Sequence, residues 1–390
     1  MEHGLEGRLE VTELKGVPVL EGELWTHRQR QAKALHEISY RACYKPQLPR
    51  FFIERLTAPG DLVYDPFSGR GTTALEAALM GRRAAANDVN PLSRLLLEPR
   101  LAPPAPEAVE ARLGEIPLDC PEAPAWPMFF HPDTEREIRS YRAWFLAREG
   151  AGTFDAVDGW IRMVATNRLT GHSPGFFSGY TLPPNQAVRP AQQEAINRRL
   201  GQAPPYRDTR ALILRKTRTL LKGLEAEDRV NLGTCRPRLS TGPAEATPGL
   251  EDGSVALTVT SPPFLDVVQY QDDNWLRCWF CGLDAEEVGR GITMARTVEA
   301  WSAAMGRVFR ELARVTAPGG HVAFEVGEVR KGTVRLEEAV LPLGLAAALD
   351  PVAVYINRQT FTKTANIWGV ANNTRGTNSN RIVLFRKEAP

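Results

Sequence analysis

The chain has 390 residues, of which 43% are hydrophobic and 24% charged, and a formal net charge of +2. This composition is that of a globular protein with a substantial core, and the length predicts two units rather than one. A net charge so close to zero neither favours nor excludes a nucleic-acid partner. No apolar run is long enough to cross a membrane, the N-terminus is not a signal peptide, and we expect a cytoplasmic protein.

The N-terminal part of the chain carries few periodic signals. Residues 1–23 show no clear hydrophobic period, so we expect them to be loosely held, and residues 25–35 have a basic, helical pattern. Further on, Pro46 and Pro49 are expected to hold the chain extended just before an apolar helix at 51–56.

A strand, turn, helix and strand pattern follows at 62–88. An apolar run ends at Asp65, a turn with Gly69 and Gly71 comes next, and a helical sequence leads to a second apolar run that ends at Asp88. Glycine permits positive φ, and the free N–H groups of a helix N-terminus bind carboxylates or phosphates. An acid at the end of the second strand is placed to bind ribose hydroxyls. The pattern predicts half of a nucleotide-binding βαβ unit.

The turn differs from a dinucleotide fingerprint in ways that indicate its ligand. It lacks a third glycine, and Asp65 at the strand end would repel a pyrophosphate but attract an ammonium group. A ligand with an amino-acid end and a nucleoside end, such as S-adenosyl-L-methionine, fits this turn better than NAD. The alternative is an ordinary strand-to-helix turn in another α/β protein.

The middle of the chain is interpreted as a mainly helical insert. Residues 101–127 are rich in proline and mark a crossing into another unit. Helical patterns follow at 135–147, 156–169, 191–200 and 209–224, and a loop at 171–186 combines glycines, aromatics and amides. Over 189–222 basic residues are opposed only by Glu194 and Asp208. Such a segment suits contacts with nucleic acid, and a solvated helix face is the alternative.

The C-terminal part returns to strand-like runs at 238–241, 255–259, 321–326, 352–356 and 381–385, with an amphipathic helix at 299–315. We therefore predict an α/β fold with a Rossmann-like, seven-stranded, mostly parallel sheet, and a helical insert between the second and third strands. Cys278 and Cys281 have the spacing of a metal site but lack a second pair, so we interpret them as buried thiols and predict no metal.

A second motif follows the strand at 255–259 and contains Ser261, Pro262, Pro263 and Phe264. Ligands bind at the carboxyl ends of parallel strands, so this motif is expected to face the glycine turn. The two prolines make a rigid exit without N–H donors. The Ser261 hydroxyl and the Pro262 carbonyl can accept hydrogen bonds from the exocyclic amine of a base, while Phe264 stacks on its ring. The alternative is a proline-terminated strand that packs an aromatic side chain.

The stretches DPFSGRGTT and TSPPF together resemble the S-adenosylmethionine-dependent amino-methyltransferases of DNA. With a serine before the two prolines, the second motif resembles that of the N4-cytosine subgroup more than that of the N6-adenine subgroup. Two positions depart from the family pattern. Phe264 stands where tyrosine is commoner, and Pro243 stands where relatives often carry an acid that holds the adenine amine of the cofactor.

The resemblance implies a Rossmann-like methyltransferase fold and transfer of a methyl group from S-adenosyl-L-methionine to N4 of a flipped cytosine. It implies double-stranded DNA as the partner, with a cognate restriction endonuclease in the same system as a further implication. Residues 1–100 and 231–390 would form the methyltransferase domain, and residues 101–230 the target-recognition domain. Residues 41–52 would cover the methionine end, and the loop at 363–380 would approach the DNA.

The same resemblance assigns site residues. The implied catalytic residues are Ser261, Pro262, Pro263 and Phe264. The implied cofactor-binding residues are Tyr44, Pro46, Asp65, Phe67, Ser68, Gly69, Gly71, Thr72, Asp88 and Val89. The implied DNA-binding residues are His172, Asn185, Gln186, Arg198, Arg199, Arg215, Lys216 and Arg375.

Three other readings stay open from the sequence. A DNA N6-adenine methyltransferase and an RNA base-amine methyltransferase share both motifs. A non-catalytic protein with a decayed cofactor site is a third alternative, although the polar groups that the chemistry needs are all present.

Overall fold

The computed structural model describes residues 10–25, 32–40, 43–181, 188–263, 270–292, 295, 297–326, 328–329, 334–358 and 379–389. The strands are β1 (Glu10–Leu14), β2 (Val17–Gly22), β3 (Leu62–Asp65), β4 (Arg83–Asp88), β5 (Arg238–Thr241), β6 (Val255–Thr260), β7 (Thr316–Val326), β8 (Glu328–Val329), β9 (Val334–Arg335), β10 (Asp350–Arg358) and β11 (Ser379–Arg386). The helices are α1 (Gln47–Leu56), α2 (Thr72–Leu79), α3 (Leu92–Leu101), α4 (Pro106–Glu115), α5 (Pro132–Gly150), α6 (Ala156–Thr166), α7 (Pro190–Leu200), α8 (Thr209–Leu221), α9 (Ala226–Thr234), α10 (Tyr270–Phe280), α11 (Ala285–Gly291), α12 (Val298–Val315) and α13 (Leu336–Ala346).

Within these ranges one nine-stranded sheet has the order β1-β2-β10-β11-β7-β6-β3-β4-β5. Five neighbouring pairs are parallel, namely β3 with β4, β3 with β6, β4 with β5, β6 with β7, and β2 with β10. The pairs β1 with β2, β10 with β11, and β11 with β7 are antiparallel. The α/β class is confirmed, but the predicted seven-stranded, mostly parallel sheet is wrong, because the sheet is mixed and has nine strands.

The two additional strands come from the N-terminal hairpin β1–β2, which lies beside β10. The described residues from Glu10 onward are therefore not loosely held. Every residue of β1 is exposed or half-buried, so the strand shows no alternation of apolar and polar positions. The turn at Lys15 and Gly16 has φ values of 51° and 82°, as in the tight turns that favour hairpins. The turn at Lys15 and Gly16 was the local sequence signal for the hairpin, whereas β1 itself has no hydrophobic period that would predict a strand.

The order of connections places a crevice beside β3. After β3 the chain forms β4 and β5 on one side, and it then returns to form β6 and β7 on the other side. The connections that leave β3 and β6 therefore diverge, which makes the carboxyl ends of these two strands the switch point of the sheet. Both sequence motifs stand at this switch point.

The helices between β4 and β5 pack against the sheet rather than apart from it. Trp160 of α6 and Ile213 of α8 share one hydrophobic cluster with Leu75 of α2 and Ala86 of β4. Because this burial removes large apolar surfaces from water, the helices hold the end of β4 in place. The division into domains at residues 101 and 230 remains a prediction.

The other helices cover both faces of the central strands. Phe309 and Leu312 of α12 belong to a cluster with Phe324 of β7, whereas Phe52 of α1 packs in a cluster with Val63 of β3. The helix predicted at 299–315 is confirmed as α12. In the part of the chain that is described, every helix is too short or too polar to span a bilayer.

Several predicted boundaries differ from the structure. Pro46 has helical dihedral angles and Pro49 lies inside α1, so neither holds the chain extended. The helix predicted at 25–35 is, over its described part, a short 3-10 helix at Ala34–His36. The proline-rich segment contains α4, and α9 was not predicted. The strand predicted at 321–326 already begins at Thr316 and passes through the Pro-Gly-Gly sequence with an irregular register against β6.

Candidate active site

A cavity of about 310 Å³ lies at the carboxyl ends of β3, β4 and β6. Its wall is formed from both motifs, because Ser68 and Gly69 of the glycine turn and Ser261 and Pro263 of the second motif all line it. The residues of the lining that were predicted to bind cofactor are Tyr44, Phe67, Ser68, Gly69, Thr72, Asp88 and Val89. Predicted residues that are described but absent from the lining are Pro46, Asp65, Gly71 and Pro262.

The two glycines of the turn have different reasons to be glycine. Both have positive φ, 52° at Gly69 and 77° at Gly71. Gly69 lines the cavity, so its bare backbone faces the ligand space. At Gly71 an added Cβ would lie 2.5 Å from Leu97 Cδ1. The absence of a side chain at Gly71 therefore allows α3 to pack against the turn, and ligand approach is not the reason.

Asp88 joins the turn to the end of β4. Its Oδ2 accepts a hydrogen bond of 2.7 Å from the Gly69 N–H, and its Oδ1 accepts one of 2.9 Å from the Asn90 N–H. Burial raises the pKa of Asp88 to about 6, and the nearby charge of Asp65 also raises it. The carboxylate faces the cavity, where hydroxyl donors of a ligand would offset part of this desolvation.

Asp65 lies below the cavity and joins three elements. It accepts hydrogen bonds from the Tyr44 hydroxyl at 2.7 Å and from the Thr260 hydroxyl at 2.6 Å. Burial raises its pKa to about 6, and these two donors oppose that rise. Burial also raises the pKa of Tyr44 far above its usual range, so the phenol stays a donor. Asp65 therefore fixes Tyr44 and the end of β6 relative to β3, and it would act on a ligand through charge.

Arg70, the residue between the two glycines, points away from the cavity and binds the preceding segment. Its Nη1 donates to the Ile38 carbonyl at 3.0 Å, and its Nη2 donates to the Tyr44 carbonyl at 3.2 Å. The buried Arg100 in turn donates to the Arg70 carbonyl. These bonds place Tyr40 and Tyr44 at the cavity wall.

Ser261 is joined to an acid that the sequence did not reveal. Its hydroxyl acts on the buried Glu325 at the end of β7 and lowers the pKa of that carboxyl, whereas burial raises the pKa by more. Asn380 of β11 also donates to Glu325. A hydroxyl that donates its hydrogen to a carboxylate keeps its oxygen lone pairs for another donor, and Ser261 lines the cavity.

Trp301 of α12 binds the second motif from the other side. Its Nε1 donates a hydrogen bond of 3.0 Å to the Pro263 carbonyl. Trp301 itself is 2% exposed and lines the cavity. Among the described donors none bonds to the Pro262 carbonyl. The Pro263 carbonyl is therefore already hydrogen-bonded, whereas the Pro262 carbonyl is open to a ligand donor.

The rest of the lining comes from segments that carry no motif. Residues that sequence reasoning missed include Tyr40, Cys43, Pro243, Ala244, Glu245, Ile292, Trp301, Met305 and Val308. Glu245 is notable because it supplies an acid two residues after Pro243, where one was expected and not found. Its carboxylate pairs with Arg307 Nε at 2.7 Å.

The predicted DNA-binding residues that are described lie on the insert, and none of them belongs to the lining of the cavity. His172 is exposed, Arg198 and Arg199 are exposed in the last turn of α7, and Arg215 and Lys216 lie on α8. Asn185, Gln186 and Arg375 are outside the described residues, as is Phe264 of the second motif. Cys278 and Cys281 are buried free thiols on and beside α10. Among described side chains, no group of three or more His, Cys, Asp or Glu could hold a metal ion.

Comparison with known proteins identifies relatives of the first motif and its surroundings. Residues 12–92 match the family N6_N4_Mtase, described as DNA methylase. The Type II methyltransferase M.MjaII of Methanocaldococcus jannaschii is 34% identical over 80 residues, which are 20% of this chain and 15% of that protein. The chain thus spans a small part of the length of this curated relative. Both matches support a DNA methyltransferase family and, with it, S-adenosyl-L-methionine as the cofactor.

Solved structures give distant similarities. An S-adenosylmethionine-dependent methyltransferase of Methanosarcina mazei is 9% identical, with 87% of this chain and 98% of that chain covered and a TM-score of 0.33. A protein of Thermus thermophilus described as a DNA modification methylase, solved in complex with S-adenosyl-L-methionine, is 22% identical over 38% of this chain and 54% of that chain, with a TM-score of 0.24.

Proposed function

We propose that this protein is an S-adenosyl-L-methionine-dependent DNA methyltransferase that modifies an exocyclic base amine, N4 of cytosine. The observation that carries the proposal is that one cavity joins the turn at Ser68 and Gly69, the acid Asp88, and Ser261 with Pro263. A cofactor site and an amine-binding site thus share one wall. The sequence match supports amino-methylation of DNA, and the serine before Pro-Pro favours cytosine over adenine.

The cavity fits the cofactor by charge. Asp65 is buried and Asp88 is half-buried at the cavity wall, and loss of water is the main reason that each has a pKa of about 6. A ligand with an ammonium group and ribose hydroxyls would stabilise both carboxylates. Asp88 would accept from the ribose, while Phe67, Ser68 and Gly69 would hold the methionine end. When bound, S-adenosyl-L-methionine supplies a methyl group activated by its bond to a positively charged sulfur.

Ser261 and Glu325 would prepare the target amine. The lone pair of a base amine is delocalised into the ring, so the amine must become more tetrahedral before it can accept a methyl group. The Ser261 oxygen would accept one N–H bond while its own hydrogen is donated to Glu325, on whose pKa this hydroxyl acts. A methylated amine must lose one proton, and Ser261 can receive it as it passes its own proton to Glu325. The raised pKa of Glu325 makes that carboxylate a better proton acceptor.

The second N–H bond falls to Pro262 rather than Pro263. The Pro263 carbonyl already accepts from Trp301 at 3.0 Å, which fixes the direction of the Pro-Pro segment. The Pro262 carbonyl is the acceptor that remains. Two acceptors in fixed positions orient the amine toward the cofactor space, and catalysis then depends mainly on positioning. Phe264 is proposed to stack on the base.

Double-stranded DNA is the proposed partner, and the target base must leave the duplex to reach this cavity. The insert residues proposed to bind the DNA are His172, Asn185, Gln186, Arg198, Arg199, Arg215 and Lys216, and the insert is proposed to read its sequence. A cognate restriction endonuclease is a further proposed partner. Among the cofactor-side residues, Glu245 is proposed to accept from the adenine amine in the place of the missing acid.

The test is product analysis. Purified protein is incubated with duplex DNA and tritiated cofactor, the DNA is digested to nucleosides, and the products are separated by mass spectrometry. N4-methylcytosine is expected, and N6-methyladenine as the sole product would refute the cytosine assignment. Transfer to tRNA but not to duplex DNA would favour an RNA methyltransferase. Absence of cofactor binding would favour the non-catalytic alternative.

A further inference from the structure

Four cations from three separate helical regions come together beside the loop at 171–181. Arg168 follows α6, Arg215 and Lys216 lie on α8, and Arg277 lies on α10. The charges of Arg215 and Arg277 act on Arg168, and the charge of Arg168 acts on Lys216. Only Arg215 and Lys216 were expected from the sequence to contact DNA, because the other two are brought to this place by packing.

Gly175 defines the point at which two of these cations converge. Arg215 Nη2 lies 3.7 Å, and Arg168 Nη1 4.0 Å, from the position that a Cβ on Gly175 would occupy. The φ of Gly175 is not positive, so its backbone does not require glycine. Because Gly175 has no side chain, the space between the two guanidinium groups stays open.

The two guanidinium groups are held differently. Arg168 lies 4.1 Å over the ring of Phe176, which is 7% exposed, and its Nε donates to the Asn167 carbonyl. This packing fixes Arg168 before any ligand arrives. Arg215 is exposed and can adjust its position. A planar guanidinium held in advance loses less conformational entropy when it binds an anion.

The cluster has more positive than negative charge. Within the described ranges no carboxylate forms an ion pair with Arg168 or Arg215, and Glu37 lies 3.5 Å from Lys216 Nζ. Burial, followed by the charges of Arg277 and Arg215, lowers the pKa of Arg168 to about 10. Partly buried cations that repel one another are stabilised by an added anion.

The cluster is also connected to the cavity by the chain. Glu37, the partner of Lys216, precedes Tyr40 of the cavity wall by three residues, which span at most about 11 Å. Successive phosphates of a strand advance by about 3.4 Å along the axis, so a stretch of backbone this long corresponds to about three nucleotides. We therefore expect the same strand of DNA to reach both the cluster and the cavity.

We propose that Arg168, Arg215 and Lys216 bind one backbone phosphate of the DNA strand that carries the target base, in the space that Gly175 leaves open. The assignment of DNA as the source of the phosphate rests on the proposed function. Arginine side chains bind phosphate oxygens with two parallel hydrogen bonds, so two of them can enclose a single phosphate. Such a contact positions the strand but reads no sequence.

The test is the salt dependence of binding to a fluorescein-labelled duplex of mixed sequence, measured by fluorescence anisotropy over a series of KCl concentrations. For Arg215→Gln, and for Arg168→Gln, the slope of log affinity against log salt is expected to fall in magnitude by about 1. The double variant should also lose about 1 rather than 2, because both side chains bind the same phosphate. Loss of affinity should be equal for duplexes of different sequence.

Two further variants separate this contact from general electrostatics. Gly175→Leu keeps every charge but fills the space, and it is expected to lose the same slope. Arg218→Gln is the matched control, because it removes one charge from the same helix where Arg218 is exposed and pairs with Glu110 at 3.2 Å. Its slope should stay near that of the parent protein.

The outcomes separate this proposal from the proposed function. If Arg215→Gln and Gly175→Leu have the same salt slope as Arg218→Gln, the phosphate contact is overturned. The proposed function still holds in that case, provided that the parent protein methylates DNA. Parent protein that binds tRNA but neither binds nor methylates duplex DNA would overturn both the DNA assignment and the proposed function.

Discussion

The indole Nε1 of Trp301 donates a hydrogen bond of 3.0 Å to the carbonyl of Pro263. Trp301 lies on α12, whereas Pro263 follows β6, so the bond joins a helix of one sheet face to the exit of a central strand. A Pro-Pro segment has no N–H donors, so such a bond to a carbonyl is one of the few ways to fix its direction. The bond also leaves the Pro262 carbonyl as the neighbouring acceptor.

Trp301→Phe is expected to lower kcat about tenfold with little change in the Kd of S-adenosyl-L-methionine. The phenyl ring keeps most of the apolar contact, but the Pro263 carbonyl loses its donor, which costs about 1–3 kcal/mol. Steady-state kinetics and calorimetric titration of the cofactor measure the two quantities. An equal loss in cofactor affinity would show that Trp301 acts mainly as a wall of the cofactor site.

Ser261→Ala is expected to lower kcat by about 100-fold while the cofactor Kd changes less than threefold, because the hydroxyl acts on the target amine and removal of one positioned polar group costs about that much. Glu325→Gln keeps a hydrogen-bond acceptor but cannot take up a proton. For Glu325→Gln we expect a smaller loss of kcat than for Ser261→Ala, and a rate of methyl transfer that depends less on pH. Single-turnover methyl transfer between pH 5 and 8 measures the rate and its pH dependence. An unchanged profile in Glu325→Gln would contradict the proton route.

Cofactor affinity is expected to rise with pH up to about 6 and then to level off. Asp88 has a pKa of about 6 and must lose its proton to accept ribose hydroxyls. Below this pKa, affinity should fall by up to about tenfold per pH unit. Asp88→Asn should bind more weakly at pH 7, and its affinity should vary less with pH. Calorimetric titration at several pH values tests this, and equal pH dependence in both proteins would exclude Asp88 as the group responsible.

The same acids predict the pH dependence of folding without cofactor. Asp65 and Asp88 have pKa values of about 6 in the folded state, against 3.8 as the ordinary value. Between these values the folded state binds more protons than the unfolded state, so the stability contributed by these groups is highest below pH 3.8 and falls as pH rises to 6. Asp88→Asn should therefore show a smaller fall in unfolding free energy between pH 4 and 6, measured by urea unfolding.

Gly71→Ala is expected to lower the free energy of unfolding more than Gly60→Ala, a replacement of another glycine with a left-handed backbone conformation. A left-handed conformation costs a non-glycine residue about 1–2 kcal/mol, and at Gly71 the added Cβ would also lie 2.5 Å from Leu97 Cδ1. Gly60 has a φ of 87° and no atom within 4 Å of an added Cβ, so Gly60→Ala is the matched control. Urea unfolding should show a loss at Gly71 larger by about 1 kcal/mol or more.

The Leu97→Ala background separates the two costs. In that background the additional cost of Gly71→Ala should fall to that of Gly60→Ala, because the smaller side chain removes the contact. If Gly71→Ala costs the same in the parent protein and in the Leu97→Ala background, the clash is not the cause.

Some of the fold could be predicted because its signals are local. The run to Asp65, the turn with two glycines and the run to Asp88 each specify a conformation through nearby residues. Four of the insert helices, α5 to α8, were also visible, since their apolar residues recur at helical spacing. The hairpin β1–β2 was not, because β1 has no buried position and β2 is short, and the two strands are recognised only when β1 pairs with β2 and β2 with β10.

The sequence by itself determined which groups carry the candidate chemistry: the turn at Gly69, the acid at Asp88, and Ser261 before two prolines. The tertiary structure decided what surrounds them, such as Glu325 behind Ser261, Trp301 on Pro263 and Arg168 beside Arg215. The reason is physical. Turn and strand-end conformations depend on a few adjacent residues, whereas these partners are far apart in the chain and meet only when the sheet and its helices pack.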